Sequence, residues 1–558
     1  MTKPCTILIG GVAGQGLLTI GHLLAKVLVR SGYYLVVTQS YMSRIRGGHN
    51  SFAIRVAPTP VAAPSETIDV LIALDARSVD EHLADLAEDG IIIMDGAVAA
   101  ETGDRLCLRI PAGEMGLAAL FNIVAAGVAS GLLALDAGVL TRTLGEEAET
   151  LASAGVALQA GLDWQRQSGV HRPLPEPTAP MPRIMVNGNE ALALGAMAGG
   201  LKFAAFYPMT PGKSVILALL AHADRLGLVV EQAEDEIAAI NMALGASFAG
   251  APALVATSGG GFALMVEGVS LAAMTETPVV IVVAQRPGPA TGLPTRTEQG
   301  DLEFVLHSGH GEFPRAILAP GSPEQCFSLA ARAMDIAEQS QGPVFILTDQ
   351  FLADSYRSVA PFDPTAVPTV LPHERAPDDT PTYQRYALTD SGISPRALPG
   401  RGDGLAVADS DEHTEDGHIT EDLGVRVQMV EKRLRKLALL ERLTLAPEYC
   451  GPASADLLLV CWGSAGGAVT EAAELLAARG IRAAALHFSQ VWPLVPDQFL
   501  TYLQQARTVL GVEGNATGQF ARLLRRECGF AVHGQIGRFD GLPLTPEFIL
   551  RRLAESGW

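Results

Sequence analysis

The sequence predicts an α/β protein built from several doubly wound domains whose sheets are mainly parallel. Short apolar runs that read as buried strands recur along the chain and are separated by longer stretches with helical periodicity. Many of these runs end in glycine- or proline-rich turns that lead into the next helix, which is typical of βα units. At 558 residues the chain is also too long for one hydrophobic core, so we expect several domains.

The composition excludes some functional classes. Hydrophobic residues make up 48% of the chain and charged residues 18%, as in a globular protein with much buried surface. The formal net charge of −20 argues against nucleic-acid binding, which needs a basic face. No run is long and apolar enough to span a bilayer, and the N-terminus lacks the pattern of a signal peptide, so we expect a cytoplasmic protein.

The cysteines predict neither a metal centre nor a disulfide framework. The six are scattered through apolar contexts without any CxxC pair, at Cys5, Cys107, Cys326, Cys450, Cys461 and Cys528. Zinc sites, iron–sulfur clusters and redox dithiols need closer spacing, so we expect buried free thiols in a reducing compartment. If the protein moves electrons through a cluster, that cluster is expected on another chain.

Residues 1–185 are predicted to form the first domain. A strand at 6–9 runs through the glycine loop 10–16 into a helix. The loop is spaced GxxGxG, whereas a nicotinamide fingerprint reads GxGxxG, and the second strand ends in Thr38 and Gln39 rather than in an acidic residue. A nicotinamide site is therefore disfavoured, while a phosphate at this helix N-terminus stays open.

A second loop of the first domain reads RIRGGHN and carries Arg44 and Arg46. Two arginines beside paired glycines are suited to grip an anionic ligand, because a guanidinium binds a carboxylate or phosphate through two N–H groups. The alternative is a surface loop in which both arginines pair with nearby acids. A stretch rich in proline and charge, at 165–182, is predicted to link this domain to the next.

Residues 186–355 are predicted to form a second domain with a buried parallel sheet, and they carry the main candidate site. The YPMTP loop holds Tyr207 and fixes the Thr210 hydroxyl between two prolines. Glu236 begins an alanine-rich helix after the next strand, a glycine triplet around Gly260 follows the third, and Arg296 lies in a later GLPTRTEQGDL stretch. Open α/β sheets form their binding sites at the ends of strands. Each of these motifs alone, however, is also common in loops without a catalytic role.

The remaining chain is predicted to form an extended linker, 356–450, and a compact C-terminal α/β domain, 451–558. The linker is rich in proline and acidic residues. His413 and His418 lie among acids there, but their spacing fits no standard ligand set, so we interpret the segment as a solvated acidic loop rather than a metal site. The turn at 513–519 either starts a helix or binds a phosphate or a partner.

Taken together, these motifs resemble one known family. YPMTP, EDEIAAINMALGASFAG, TSGGGFALMVEG, MTETP, GLPTRTEQGDL and GHGEFPR are similar to the α subunit of 2-oxoacid:ferredoxin oxidoreductases, closest to the 2-oxoglutarate type. The resemblance implies that the first domain is the family's γ domain, fused ahead of the α portion and associated with coenzyme A, which makes Arg44 and Arg46 candidate ligands. It also implies a thiamine pyrimidine-binding-type second domain and a transketolase-like C-terminal domain.

The resemblance further implies an activity and roles for the site residues. The family converts 2-oxoglutarate, coenzyme A and oxidised ferredoxin to succinyl-CoA, CO2 and reduced ferredoxin, and runs in reverse where carbon is fixed through a reductive tricarboxylic acid cycle. Glu236 matches the glutamate that binds the aminopyrimidine ring of thiamine diphosphate, near Gly260. Thr210 and Arg296, with Tyr207, match the positions that hold the 2-oxoacid.

Only half of a thiamine site is expected on this chain. The signature of the diphosphate half is GDG followed by an asparagine, but the GDG at 402–404 lies in the polar linker and the next asparagine is Asn515. We therefore expect a β subunit that carries Mg²⁺, the diphosphate site and a [4Fe–4S] cluster, in an αβ or (αβ)2 assembly that reduces ferredoxin. The alternatives are a pyruvate or broad 2-oxoacid enzyme, a nicotinamide-dependent dehydrogenase and a non-catalytic assembly subunit.

Overall fold

The chain folds into two compact units. The computed structural model describes residues 3–42, 48–147, 151–177, 181–367, 383–401 and 405–557. The first unit comprises Met1–Asn187, Asp354–Pro361 and Leu544–Trp558, and the second comprises Gly188–Ala353 and Phe362–Pro543. None of the described helices is long and apolar enough to cross a membrane.

Strands and helices alternate through most of the chain. The strands are β1 Cys5–Gly11, β2 Tyr34–Ser40, β3 Asn50–Ala57, β4 Ile68–Ala73, β5 Leu86–Asp95, β6 Leu106–Ile110, β7 Ile184–Asn187, β8 Phe203–Phe206, β9 Val229–Gln232, β10 Ala253–Thr257, β11 Val279–Gln285, β12 Ala316–Leu318, β13 Pro343–Asp349, β14 Tyr356–Val359, β15 Glu448–Cys450, β16 Leu457–Trp462, β17 Ala483–Phe488, β18 Gln490–Trp492, β19 Thr508–Glu513 and β20 Gly534–Gly537. The helices are α1 Leu17–Arg30, α2 Ala76–His82, α3 Phe121–Leu132, α4 Ala137–Glu147, α5 Leu151–Ser168, α6 Gly188–Ala198, α7 Lys213–Leu220, α8 Ala223–Leu226, α9 Glu236–Phe248, α10 Gly259–Met274, α11 Leu302–Leu306, α12 Pro323–Ser340, α13 Gln350–Asp354, α14 Leu423–Arg435, α15 Leu437–Arg442, α16 Gly466–Ala478, α17 Leu500–Gln505, α18 Gln519–Cys528 and α19 Pro546–Glu555.

The sheet of the first unit is only half parallel. Its order is β6-β5-β4-β1-β3-β2-β14-β7, and the pairs from β6 to β1 are parallel. The strands β3, β14 and β7 pair antiparallel with their neighbours. This half of the sheet departs from the mainly parallel pairing that the sequence predicts for the domains. The connection between β2 and β3 spans residues 41–49, which is too short for the crossover that parallel strands require.

The second unit contains two sheets, of which the larger positions the candidate site. Its order is β18-β12-β13-β11-β10-β8-β9, with parallel pairing except at β18. From β8 the chain moves outward to β9 and then returns to the other side at β10. This reversal is a topological switch point, where open α/β sheets form a crevice at the strand ends. The smaller sheet has the order β15-β17-β16-β19-β20.

The predicted linker contributes to both units. Its first strand, β14, belongs to the sheet of the first unit, and α14 is bound to the second unit by a buried charge cluster. Glu276, two residues after the end of α10, is fully buried, and its two carboxylate oxygens lie 2.6 Å from Lys432 Nζ and 2.6 Å from Lys436 Nζ. Arg385, also buried, donates a hydrogen bond to the Glu276 carbonyl at 2.7 Å. Removing one partner of such a cluster leaves uncompensated buried charge, which is strongly destabilising.

The solvated-loop interpretation of the acidic segment is wrong for His413. This residue is fully buried, and its ring centroid lies 4.0 Å from that of Tyr386. The neighbouring Glu412 accepts hydrogen bonds from both terminal nitrogens of Arg433, at 3.0 and 2.8 Å. Glu412 also pairs with Arg426, so this acid is held by the basic residues of α14 beside the buried histidine. His418 is exposed and lies 3.2 Å from Asp416.

The last helix, α19, belongs to the first unit rather than to the C-terminal domain in which the sequence-based division placed it. Thr545 Oγ1 donates to Glu66 Oε1 at 2.9 Å, and Arg551 Nη1 donates to Glu66 Oε2 at 2.9 Å. These long-range hydrogen bonds have no local sequence signature.

Candidate active site

Four neighbouring strands of the seven-stranded sheet end at one edge. β11, β10, β8 and β9 are adjacent and parallel, so their carboxyl ends lie side by side. The segments that follow them begin with Arg286 after β11, the glycines 259–261 after β10, the loop 207–211 after β8, and the turn to Glu236 after β9. The structure thus gathers most of the predicted residues around the switch point.

Glu236 is the first residue of α9 and is 3% exposed. The preceding residue, Asp235, caps the helix by accepting a hydrogen bond from Ala238 N at 2.7 Å. Burial raises the pKa of the Glu236 carboxyl, and the nearby charge of Asp235 raises it further. A carboxyl that resists ionisation in this way is suited to sharing a proton with a ring nitrogen.

One oxygen of this carboxyl has no partner among the described residues. Glu236 Oε1 is buried and accepts no hydrogen bond, and the hydroxyl of Ser258, at the start of α10, is also buried and unpaired. Gly261 leaves space beside the carboxyl, because a Cβ there would lie 2.3 Å from Glu236 Oε1. Burying an unpaired polar atom is costly, so a hydrogen-bonding partner from outside the chain is expected. The aminopyrimidine of thiamine diphosphate fits this requirement.

The loop after β8 is anchored by side chains as well as stiffened by prolines. Asn189 Nδ2 donates to Pro211 O at 3.0 Å, and Arg286 Nη1 donates to Thr210 O at 2.7 Å. Thr210 is half-buried, whereas Tyr207 is 40% exposed. Thr210 is therefore held at the strand ends by two neighbouring segments, and Tyr207 lies at the surface of this chain.

Arg286 is a candidate site residue that sequence reasoning missed. It begins a long loop, residues 286–301, and burial lowers the pKa of its guanidinium from the ordinary value. Asp301, at the end of the same loop, lies against the start of α10, since a Cβ on Gly259 would be 2.5 Å from its Oδ2. Burial raises the pKa of Asp301 to about 6, against the opposing charge of Arg286. The signal that could have found Arg286 is its position directly after a buried strand.

The positions of Arg296 and Gly260 do not by themselves indicate a role in the site. Arg296 is half-buried, and its stem lies beside Gly541, where a Cβ would be 3.1 Å from the Arg296 Cβ. Gly260 is exposed, and a Cβ there would meet only Ala290 O at 3.8 Å. The roles of these two residues stay predictions. Arg44, Arg46 and the GDG at 402–404 lie outside the described residues.

The first unit contains a separate cavity of about 600 Å³. Apolar and polar residues of the first unit line it: Val12, Ala13, Gly14, Gly16, Leu17, Leu18, Thr19, Gln39, Ser40, Tyr41, Asn50, Ser51, Asn187, Asp354 and Tyr356. Its size suits a small organic ligand. In the sequence, Tyr41 and Asn50 flank the segment that carries Arg44 and Arg46.

Comparison with known proteins identifies the family. Residues 194–432 match the family model "pyruvate flavodoxin/ferredoxin oxidoreductase, thiamine diP-bdg", and residues 6–164 match "pyruvate ferredoxin/flavodoxin oxidoreductase". A 2-oxoacid:ferredoxin oxidoreductase α subunit from Sulfolobus is 31% identical over 96% of this chain and 94% of its own length. The chain belongs to the 2-oxoacid:ferredoxin oxidoreductases. The family resemblance predicted from the motifs is thereby confirmed.

Two further members of the 2-oxoacid:ferredoxin oxidoreductases carry more specific names. The 2-oxoglutarate synthase subunit KorA of Archaeoglobus fulgidus is 34% identical over 65% of this chain and 97% of its own length. A structure of 2-oxoglutarate:ferredoxin oxidoreductase from Magnetococcus marinus, with 2-oxoglutarate, coenzyme A and succinyl-CoA bound, shares 30% identity and a TM-score of 0.94 over 100% of both chains. This match also confirms the predicted fold class.

The glycine triplet offers a matched pair of substitutions that tests the space beside Glu236. In Gly261→Ala the new Cβ would lie 2.3 Å from both Glu236 Oε1 and Thr257 Oγ1, so we expect a loss of about 1–3 kcal/mol of stability. Gly260→Ala, on the same helix but facing open space, is expected to be neutral or to stabilise by about 0.4–1 kcal/mol. Thermal melts of the two variants that coincide would contradict this arrangement.

Proposed function

We propose that this chain is the α subunit, with a fused γ domain, of an enzyme that oxidatively and reversibly decarboxylates 2-oxoglutarate to succinyl-CoA and CO2 and passes the electrons to ferredoxin. The observation that carries the proposal is the buried, unpaired carboxyl oxygen of Glu236 at the switch point of the sheet. The named activities of the relatives from Archaeoglobus fulgidus and Magnetococcus marinus favour 2-oxoglutarate over other 2-oxoacids.

In this proposal Glu236 binds and activates the cofactor. Its raised pKa lets the carboxyl hold a proton against an aminopyrimidine ring nitrogen, and Gly261 leaves room for the ring edge. Gly260 borders the same space and is proposed to lie near the cofactor. When bound, thiamine diphosphate supplies the electron sink that stabilises the carbanion formed on decarboxylation. The chain's own part is to position the ring and to keep one hydrogen bond protected from water.

The substrate is proposed to bind at the same strand ends, beside Thr210 and Arg286. Thr210 presents its hydroxyl from an anchored loop, and Arg286 holds that loop through the Thr210 carbonyl. Two cations on the long loop, Arg286 and Arg296, are suited to the two carboxylates of 2-oxoglutarate, because a guanidinium binds a carboxylate through paired hydrogen bonds. Tyr207 is proposed to complete the rim of the site.

Coenzyme A is proposed to bind in the first unit. The cavity beside the glycine loop is lined by Tyr41 and Asn50, which flank the segment with Arg44 and Arg46 in the sequence, and the two guanidinium groups are proposed to bind the phosphates of an anionic ligand. The Magnetococcus marinus structure, which matches the whole of this chain, has coenzyme A and succinyl-CoA bound.

A β subunit is proposed to supply what this chain lacks, namely the diphosphate site with Mg²⁺ and a [4Fe–4S] cluster that reduces ferredoxin. Helices that start or run near the site expose large apolar side chains, which a partner chain would cover: Leu217, Leu220, Ile237, Met242 and Leu264. Their fractional exposures lie between 44% and 54%. We propose an αβ or (αβ)2 assembly in the cytoplasm, with carbon fixation by the reverse reaction as one physiological use.

The role of Glu236 predicts a specific loss of turnover. In the complex with its partner, wild type is expected to reduce ferredoxin when given 2-oxoglutarate and coenzyme A. Glu236→Gln should assemble normally but lower kcat by about two or more orders of magnitude, because a positioned acid–base group is lost. The control is Glu234→Gln, an exposed glutamate two residues upstream. Near-normal kcat in Glu236→Gln would refute the assigned role.

The proposed role of the two arginines in the long loop predicts that their removal lowers kcat/KM for 2-oxoglutarate. Arg286→Ala and Arg296→Ala are each expected to lower kcat/KM for 2-oxoglutarate by about 10–200-fold, which corresponds to a charge-assisted hydrogen bond of ~1.5–3 kcal/mol. Steady-state kinetics with 2-oxoglutarate and pyruvate measure this, with the exposed Arg525→Ala as the control. If Arg296→Ala keeps the wild-type kcat/KM for both substrates, Arg296 does not contact the substrate.

The coenzyme A proposal predicts a split between two half-reactions. Arg44→Ala and Arg46→Ala should raise the KM for coenzyme A, while decarboxylation of 2-oxoglutarate without coenzyme A stays at the wild-type rate. Arg77→Ala is the control, because it removes only an exposed ion pair with Glu81 in the same unit. An unchanged KM for coenzyme A in both variants would show that Arg44 and Arg46 do not bind coenzyme A.

A further inference from the structure

Gln299, in the long loop, forms four hydrogen bonds with the C-terminal part of the second unit, through both its backbone and its side chain. Its backbone N–H donates to Gly514 O at 2.7 Å, and its Oε1 accepts from Gly514 N at 2.8 Å. Its Nε2 donates to Trp462 O at 3.0 Å, and its carbonyl accepts from Asn515 Nδ2 at 3.1 Å. The residue is 2% exposed, so these four hydrogen bonds are shielded from water.

The turn that grips Gln299, residues 513–519, is itself rigid. The buried Glu513 carboxylate accepts from Trp462 Nε1 at 3.2 Å, Asn515 Nδ2 at 2.9 Å and Phe520 N at 2.9 Å. Asn515 Oδ1 accepts from Gly518 N at 2.8 Å. The N–H groups at the start of α18 are thereby used within the chain, which removes the phosphate-binding alternative for this turn.

Two further glutamines hold the end of the long loop. Gln519 Nε2 donates to Gly300 O at 2.7 Å, and its Oε1 accepts from Glu303 N at 3.0 Å. From the other side, Gln285 Oε1 accepts from Asp301 N at 2.9 Å. The loop is therefore fixed between the strand ends, where Arg286 and Asp301 lie, and the C-terminal turn.

We propose that Gln299 is a positioning residue for the 2-oxoacid site, through which the turn 513–519 holds Arg296 and Asp301 in place. The inference rests on the proposed function, because it assigns a role to the loop that carries the substrate cations. Gln299 itself does not touch substrate. Its loss displaces groups that must be placed within a fraction of an ångström, and a displacement of 1 Å at a reacting site costs about 100-fold in rate.

The first test replaces Gln299 with methionine, which keeps the volume and removes both side-chain hydrogen bonds. In the complex with the partner, using the 2-oxoacid that wild type turns over fastest, Gln299→Met is expected to raise KM by about 10–100-fold, because displacing Arg296 weakens its charge-assisted hydrogen bonds to the substrate carboxylate. The control is Gln490→Met, a glutamine 2% exposed that accepts from Leu445 N and donates to Trp492 O in the same unit. An equal change in both variants, or an unchanged KM in Gln299→Met, overturns the proposal.

A second variant, Gln299→Glu, separates positioning from general stability through a pH profile. The ionised carboxylate repels Trp462 O, whereas the protonated form donates to this oxygen and accepts from Gly514 N, as glutamine does. Burial raises the pKa of such a carboxyl. The ratio of variant to wild-type kcat/KM should therefore rise as the pH falls, and a ratio independent of pH overturns the proposal.

If neither variant at 299 folds, Gln519→Ala decides the question from a half-buried position on the other side. It removes the bonds to Gly300 and Glu303 and should also raise the KM for the 2-oxoacid, whereas an unchanged KM overturns the proposal. Wild type that turns over no 2-oxoacid at all would instead refute the proposed function, so the two failures are distinguishable.

Discussion

The site depends on a carboxyl group that is buried without a partner for one of its oxygens. Asp235 caps α9 and thereby fixes Glu236 at the first helical position, while the parallel strands bring this helix start beside the glycines of α10. Leaving Glu236 Oε1 unpaired costs stability, and a protein retains such a group when a ligand satisfies it. The anchored Thr210 loop and the hydrogen-bonded end of the long loop lie at the same edge of the sheet. They surround the space in which that ligand is expected to bind.

The sequence predicted the elements of the second unit well, because its strands are short apolar runs bounded by turn residues. The strands predicted before the Glu236 helix and before the glycine triplet are β9 and β10, and α9 begins at Glu236 as predicted. Parallel pairing then follows from the long helical connections, so the clustering of Thr210, Glu236 and Gly260 at one edge was foreseeable.

Features that depend on contacts between distant segments were not foreseeable. The antiparallel β3 and β14, the docking of α19 on the first unit and the burial of His413 have no local pattern that predicts them. Arg286 was missed because the sequence RPGP predicts a turn. Its position directly after the buried strand β11 nevertheless indicated a site residue. The four hydrogen bonds of Gln299 join residues far apart in the chain, and only the fold brings them together.

The central claim is that this member of the 2-oxoacid:ferredoxin oxidoreductases carries one half of a shared cofactor site. The most direct measurement compares the purified chain alone with the chain reconstituted with its partner, by titration with thiamine diphosphate and Mg²⁺ and by 2-oxoglutarate-dependent reduction of ferredoxin. The account predicts tight cofactor binding and turnover only in the reconstituted complex, with iron only in the partner. Turnover of 2-oxoglutarate by the isolated chain, or iron bound stoichiometrically to it, would contradict the account.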